Sequence, residues 1–165
     1  MWNEFCGPAE TTEIRVVESG GMAVALPEDS VIGILPAGSA SEYSIERFAG
    51  LSMMYMDDRF RPLVSLREAL CIETPAGHGA REESVVVLRM GAQLFGLLVE
   101  RAREPERAMV LPTVTPAPVL SVFTEMLQME DGGILFALNP TWLAMTMSVP
   151  LPMPRRVRPI ERLAA

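Results

Sequence analysis

Lysine is missing from this 165-residue chain, histidine occurs once and cysteine twice. Each scarcity removes a class of function. Cys6 and Cys71 lie in no CxxC pair, so they cannot make a metal cluster by themselves. The 14 basic residues, all arginine, face 21 acidic ones, and the net charge of −7 argues against nucleic acid, whose binding rests on cationic contacts to phosphate. The same balance disfavours an anionic membrane surface. No apolar run approaches the ~20 residues needed to cross a bilayer. The opening MWNEFCGPAE lacks the basic and apolar regions of a signal peptide, so a cytoplasmic location is expected. Phosphate loops, GxSxG, HExxH and GxGxxG are all absent. What is left points to a protein that binds, with no catalytic residue, cofactor or metal. The alternative is a small β-barrel enzyme or ligand-binding protein using Cys71 with His78, since a neighbouring imidazole lowers a thiol pKa. Against it, Cys71 ends an apolar segment and His78 sits in the turn-rich run Pro75-Ala76-Gly77-His78-Gly79.

Apolar residues make up 49% and charged residues 21%, which suits one globular domain or two small, tightly joined ones. The organising stretch is Ser84 to Arg103. Val85 to Leu88 is an apolar run led by three β-branched valines, Met90-Gly91-Ala92-Gln93 a turn, and Leu94 to Val99 a second apolar run, together an antiparallel hairpin with both faces largely buried. Gly91 and Gly96 would each cost about 1 kcal/mol inside a helix. The pattern occurs once before: Glu13 to Glu18, then Ser19-Gly20-Gly21, then Met22 to Leu26. Setting Gly20 on Gly91 gives an offset of 71. Further on, Phe60 to Ser65 followed by Leu66 to Leu70 matches Ile134 to Asn139 followed by Pro140 to Ala144, at an offset of 74. Two matches in the same order at nearly one offset indicate a duplicated chain.

In sequence order, residues 1–11 form a lead carrying Trp2 and Phe5. A hairpin over about 12–26 is followed by a turn at Pro27 to Ser30 and a strand at Val31 to Leu35. The run 37–49 is polar and small, with a short helix expected at Ser44 to Phe48. Leu51 to Tyr55 and Arg59 to Ser65 are strands around an Asp57-Asp58 turn. Ser65 caps a short helix over 66–70, with Glu68 three residues on. Residues 74–83 link the halves, about 12–72 and 83–147. Beyond the central hairpin come a strand near Ala108 to Leu111, a proline-interrupted run at 112–118 that forbids a helix, strand material within 119–129, a turn at 130–133, a strand at Ile134 to Leu138, and a short helix at Thr141 to Met145 capped by Asn139. Residues 148–165 are a Pro/Arg-rich tail whose last eleven residues carry a net +3, while residues 1–154 hold 10 arginines and 20 acidic residues.

This succession of hairpin, Val31-Ile32-Gly33-Ile34, Pro62-Leu63-Val64-Ser65-Leu66, second hairpin and Asp131-Gly132-Gly133-Ile134-Leu135-Phe136-Ala137-Leu138-Asn139 resembles the CheW-like domain of bacterial chemotaxis, over residues 12–147. The resemblance implies an all-β fold of two pseudo-symmetric five-stranded SH3-like barrels that share a core, with short helices. It also implies an adaptor that links chemoreceptor cytoplasmic helices to a CheA-type histidine kinase, whose regulatory domain has the same fold, and that has the capacity to self-associate. Where the family carries Asn-Leu-Arg-Gly before the fifth strand, this chain has Tyr55-Met56-Asp57-Asp58. An anion at Asp57 inverts the Coulomb term of the receptor-linked arginine. Asp58 replaces a glycine, Val99-Glu100 softens the family's Val-Asp, and Ala102 replaces a β-branched residue. The partner-binding set implied is Val31, Gly33, Met54, Tyr55, Asp57, Asp58, Arg59, Val99, Glu100 and Ala102. Within Met53 to Met56, alternate residues must face the barrel interior, and the pattern leaves open which pair does.

Overall fold

The computed structural model describes residues 10–36, 44–48, 51–73, 84–112 and 122–147. Twelve strands and two short helices are described there. In the first half they are β1 (Thr11–Ser19), β2 (Met22–Pro27), a single 3-10 turn (Glu28–Ser30), β3 (Val31–Pro36), β4 (Ser44–Phe48), β5 (Leu51–Met56), β6 (Arg59–Ser65) and α1 (Leu66–Ala69). In the second half they are β7 (Ser84–Met90), β8 (Gln93–Val99), β9 (Arg101–Ala102), β10 (Glu106–Leu111), β11 (Phe123–Gln128), β12 (Ile134–Leu138) and α2 (Pro140–Met147). The protein is nearly all-β, as expected.

One element differs in kind. Ser44 to Phe48 is a strand rather than a helix, pairing residue for residue with β5 from Ser44 opposite Tyr55 to Phe48 opposite Leu51. The ladder of β5 gives the backbone of this segment partners along its whole length, which overrides its weak local preference. The lead before Glu10, the linker 74–83, the proline run 113–121 and the tail 148–165 lie outside the described residues, and so do Cys6 and His78.

The duplication is written into the backbone. Gly20 and Gly91 turn the two hairpins with φ of 60° and 59°. Ser65 and Asn139 cap the two helices, the Glu68 N–H donating to Ser65 Oγ at 3.3 Å and the Thr141 N–H to Asn139 Oδ1 at 3.0 Å. The two sheets, however, do not follow the division into halves 12–72 and 83–147. One sheet runs β10-β11-β12-β2-β1, closes through β10 on β1 into a five-stranded barrel, and carries β9 on the β1 edge. The other runs β3-β7-β8-β6-β5-β4 and forms a half-barrel. Each hairpin has crossed to the other half's strands, with β2 parallel to β12 (Ala25 opposite Ala137) and β8 parallel to β6 (Gly96 opposite Leu63). Crossing lets a hairpin with two apolar faces bury both, one inside a barrel and one between the two.

Three clusters result. Ile14, Val16, Ala25, Ala108, Leu127 and Ala137 fill the closed barrel. Met54, Leu63, Val85 and Val87 fill the half-barrel. Between them, Val17, Leu26, Val86, Leu88, Phe95, Leu97, Leu138 and Leu143 belong to a shared core. At the edge of the first barrel, Arg15 grips Glu28 with two hydrogen bonds, Nε to Oε2 at 2.9 Å and Nη2 to Oε1 at 2.6 Å. That hydrogen bonding raises the Arg15 pKa further above its ordinary value, so the contribution is lost only as pH climbs through that raised value, far above neutrality.

Candidate protein-interaction site

The β5–β6 hairpin is a two-residue turn whose central residues, Asp57 and Asp58, both adopt left-handed backbone, with φ of 53° and 59°. Such turns match the twist of the flanking strands, and aspartate tolerates the conformation better than most residues. Both carboxylates are exposed, and Arg59 beside them is exposed as well. Strand alternation then sorts the methionine run. Met54 is 0% exposed and Met56 packs against the same half-barrel cluster. Met54 therefore supports the surface from beneath and cannot itself touch a partner. Tyr55 points out of the barrel, where its ring stands 4.9 Å from that of Phe60. Phe60 is 49% exposed, and Met53 and Pro62 share its face.

The remaining expected residues gather elsewhere, around the shared core. Val99 is buried within it, and Val31 and Ala102 pack against it from β3 and β9. Gly33 is half-buried with open space where a side chain would project. Glu100 is already engaged. Its Oε1 accepts hydrogen bonds from the Gly20 N–H at 3.0 Å and from Arg67 Nη2, while its own N–H donates to Glu18 O at 2.9 Å and Ser19 Oγ at 3.2 Å. One residue thus ties the β1–β2 turn and α1 to the end of β8. Glu100 is a clamp between the barrels rather than an open contact. The ten expected residues accordingly form two groups, one on the β5–β6 turn and one along the barrel junction.

A second surface went unnoticed in the sequence. On the closed barrel, β11 and β12 repeat the β5–β6 arrangement: Met126 lies opposite Phe136 as Met53 lies opposite Pro62, and Gln128 opposite Ile134 as Tyr55 lies opposite Phe60. Phe136 and Ile134 are 46% and 47% exposed, and the Phe136 ring contacts Phe123 at 5.4 Å. The run Ile134-Leu135-Phe136-Ala137-Leu138 is apolar at every position, so alternation carried no signal there.

The Cys71 and His78 pairing gains no geometry, because His78 lies outside the described residues; Cys71 is exposed, in left-handed backbone with φ 53°. Among the described residues no group of three or more His, Cys, Asp or Glu is placed to hold a metal, and no helix is long and apolar enough to cross a membrane.

No curated protein matches the chain in sequence. Its fold is similar to the crystal structure of the scaffolding protein TtCheW from Thermoanaerobacter tengcongensis, with a TM-score of 0.60 at 13% identity, covering 79% of this chain and 90% of that one. The family model for the CheW-like domain matches residues 13–144. With four-fifths of its length under that model and the doubled-barrel architecture beneath it, the chain belongs to the CheW-like domain family.

Proposed function

We propose that this protein is a non-catalytic cytoplasmic adaptor in chemotaxis-like signalling, coupling the regulatory domain of a CheA-type histidine kinase to chemoreceptor helices or to another partner through contacts between barrels. The observation that carries the reading is the repeated apolar outer face, Met53, Tyr55, Phe60 and Pro62 on one barrel and Met126, Ile134 and Phe136 on the other. Exposed aromatic clusters with polar surroundings are the anchors that dominate protein interfaces. Two of them on one small chain allow it to join two neighbours, including further copies of itself.

The kinase side is tested by mixing the full chain with a CheA-type regulatory domain and following size-exclusion elution. A co-eluting complex is expected, weakened by Phe60→Glu or Phe136→Glu; unchanged elution of the mixture contradicts the reading. The receptor side rests on the barrel junction, where Val31 and Ala102 flank the buried Val99, and on the β5–β6 turn. Asp57 sets a negative charge where the resemblance calls for arginine, so ordinary receptor binding is expected to be weak. Asp57→Arg should strengthen receptor capture in a pull-down, and no change removes the electrostatic account.

A further inference from the structure

Among the described residues the main chain passes between the two barrels twice, from β2 to β3 through the turn Glu28–Ser30 and from β8 to β9 through Glu100. The duplication sets the same residue at both. Pro27-Glu28 and Val99-Glu100 lie 72 apart, within the offsets that relate the hairpins and the helices. Each glutamate is taken by an arginine from the barrel the chain is leaving, Glu28 by Arg15 of β1 in the closed barrel and Glu100 by Arg67 of α1, just after β6 of the half-barrel. Backbone pairing is brief in both passages. β9 pairs only Arg101 and Ala102 with β1, and no side chain caps the Glu28–Ser30 turn.

The two passages meet at one side chain. Besides its two bonds to Glu28, Arg15 donates from Nη1 to the Arg103 carbonyl at 3.3 Å. Arg103 in turn donates its N–H to Val16 O at 2.9 Å and its Nη2 to the Glu18 carboxylate, and the Glu18 carbonyl accepts the Glu100 N–H. A chain of polar contacts thus runs from Glu28 through Arg15, Arg103 and Glu18 to Glu100. The Arg15 and Glu28 side chains are 14% and 22% exposed, shielded enough for a two-bond ion pair to count. The same passages carry the junction residues. Val31 follows the first, Val99 and Ala102 stand either side of Glu100 in the second, and all three pack in or against the shared core, with Val99 fully buried.

We infer that the two passages form one latch, centred on Arg15, which opens as a unit and controls the exposure of Val99 at the barrel junction. Release of Arg15 frees Glu28 and the Arg103 carbonyl together, so the first passage loosens only with the second. Apolar packing draws the barrels together without fixing a direction, whereas a two-bond guanidinium–carboxylate pair holds one geometry. Short segments with few backbone bonds are the ones that open below the cost of global unfolding. A partner that contacts Val99 then draws on the open form, and its apparent affinity is reduced in proportion to the fraction of chains that are open. That consequence rests on the junction being a partner contact; the joint opening of the passages does not.

The test is native-state hydrogen exchange on the full 15N-labelled chain. Its probes are the Val31 N–H, which donates to Glu28 O, and the N–H groups of Glu100 and Arg103. In the wild type the three should exchange through one opening of common free energy, lower than that of the Val86 amide in the shared core. Glu28→Gln weakens the fork and should speed all three about fivefold or more, while the Met129 N–H, bonded to Gly133 O in the β11–β12 turn, keeps its rate. Arg15→Lys keeps the charge without the fork and should act alike. Exposure of Val99 is read by thiol labelling of Val99→Cys in a chain carrying Cys6→Ser and Cys71→Ser; adding Glu28→Gln should quicken labelling by the same factor. The inference is overturned if Glu28→Gln speeds Val31 but neither Glu100 nor Arg103, if all three amides exchange only with Val86, or if labelling does not follow exchange. Partner capture that Glu28→Gln leaves unchanged, with the joint exchange observed, removes the junction contact from the proposed function and keeps the latch.

Discussion

Adding one methyl group at Gly96 should destabilise the protein, and the amount can be worked from its neighbours. A Cβ there would lie 2.7 Å from Leu63 Cδ1, 2.9 Å from Val85 Cγ1 and 3.2 Å from Met54 Cε. Leu63 and Met54 present the ends of flexible side chains and can swing aside. Val85 is β-branched, stiff at χ1 and fully buried on β7, so its methyl has nowhere to turn. Overpacking of this kind costs about 1–3 kcal/mol. Replacing glycine returns about 0.5–1 kcal/mol through the unfolded chain, leaving a net loss of roughly 1–2 kcal/mol for Gly96→Ala. The twin barrel suggests the rescue. At the equivalent crossing of β2 and β12, Ala25 faces Ala137, whereas here glycine faces leucine. Leu63→Ala alone should cost about 2–4 kcal/mol by opening a cavity. The double variant rebuilds the alanine pair and should lose less than the two single losses together by at least about 1 kcal/mol. Urea unfolding followed by circular dichroism resolves this, since roughly 1–2 kcal/mol moves the midpoint by about 0.5–1 M. An unchanged or higher midpoint for Gly96→Ala, or strictly additive losses, refutes the packing argument.

Three further outcomes follow from features of the fold. Glu100→Ala removes the acceptor shared by the Gly20 N–H and Arg67, and because the pair is only partly shielded the expected loss is about 1–3 kcal/mol in the same unfolding assay. Asp58→Gly relieves left-handed strain in the β5–β6 turn and should raise stability by about 0.5–1 kcal/mol, read as a higher urea midpoint. Ser65→Ala and Asn139→Ala each remove a helix cap, and each should cost about 1 kcal/mol, with additive losses because the two helices are capped independently.

Much of this fold is legible locally. The glycines at 20 and 91, the caps at 65 and 139 and the alternation around Met54 are short-range signals, and they gave the hairpins, the helices and the duplication. The Ser44–Phe48 strand was hidden because its identity comes from β5, not from its own weak preferences. The exchange of hairpins was hidden for a stronger reason: β2 on β12 and β8 on β6 are parallel pairings between strands that do not follow one another in sequence, the first of them across most of the chain, and no local pattern encodes such a partner. Among the site residues, alternation set Met54 against Tyr55 but not which faced solvent. Glu100 enters the sequence reading only as an expected partner contact, and the proximity of the Gly20 turn and Arg67, which joins its side chain to both, has no local signal.

The crossed hairpins also decide how this chain can be cut. Residues 1–80 made alone would hold β1 and β2 without the three strands that close around them, and β3 to β6 without the pair that completes their sheet. Neither fragment should fold in isolation, yet the two mixed should reassemble, much as a split reporter does. During synthesis the β1–β2 hairpin must wait for β10, β11 and β12 to emerge before finding its place, which makes β12 the strand that commits the closed barrel.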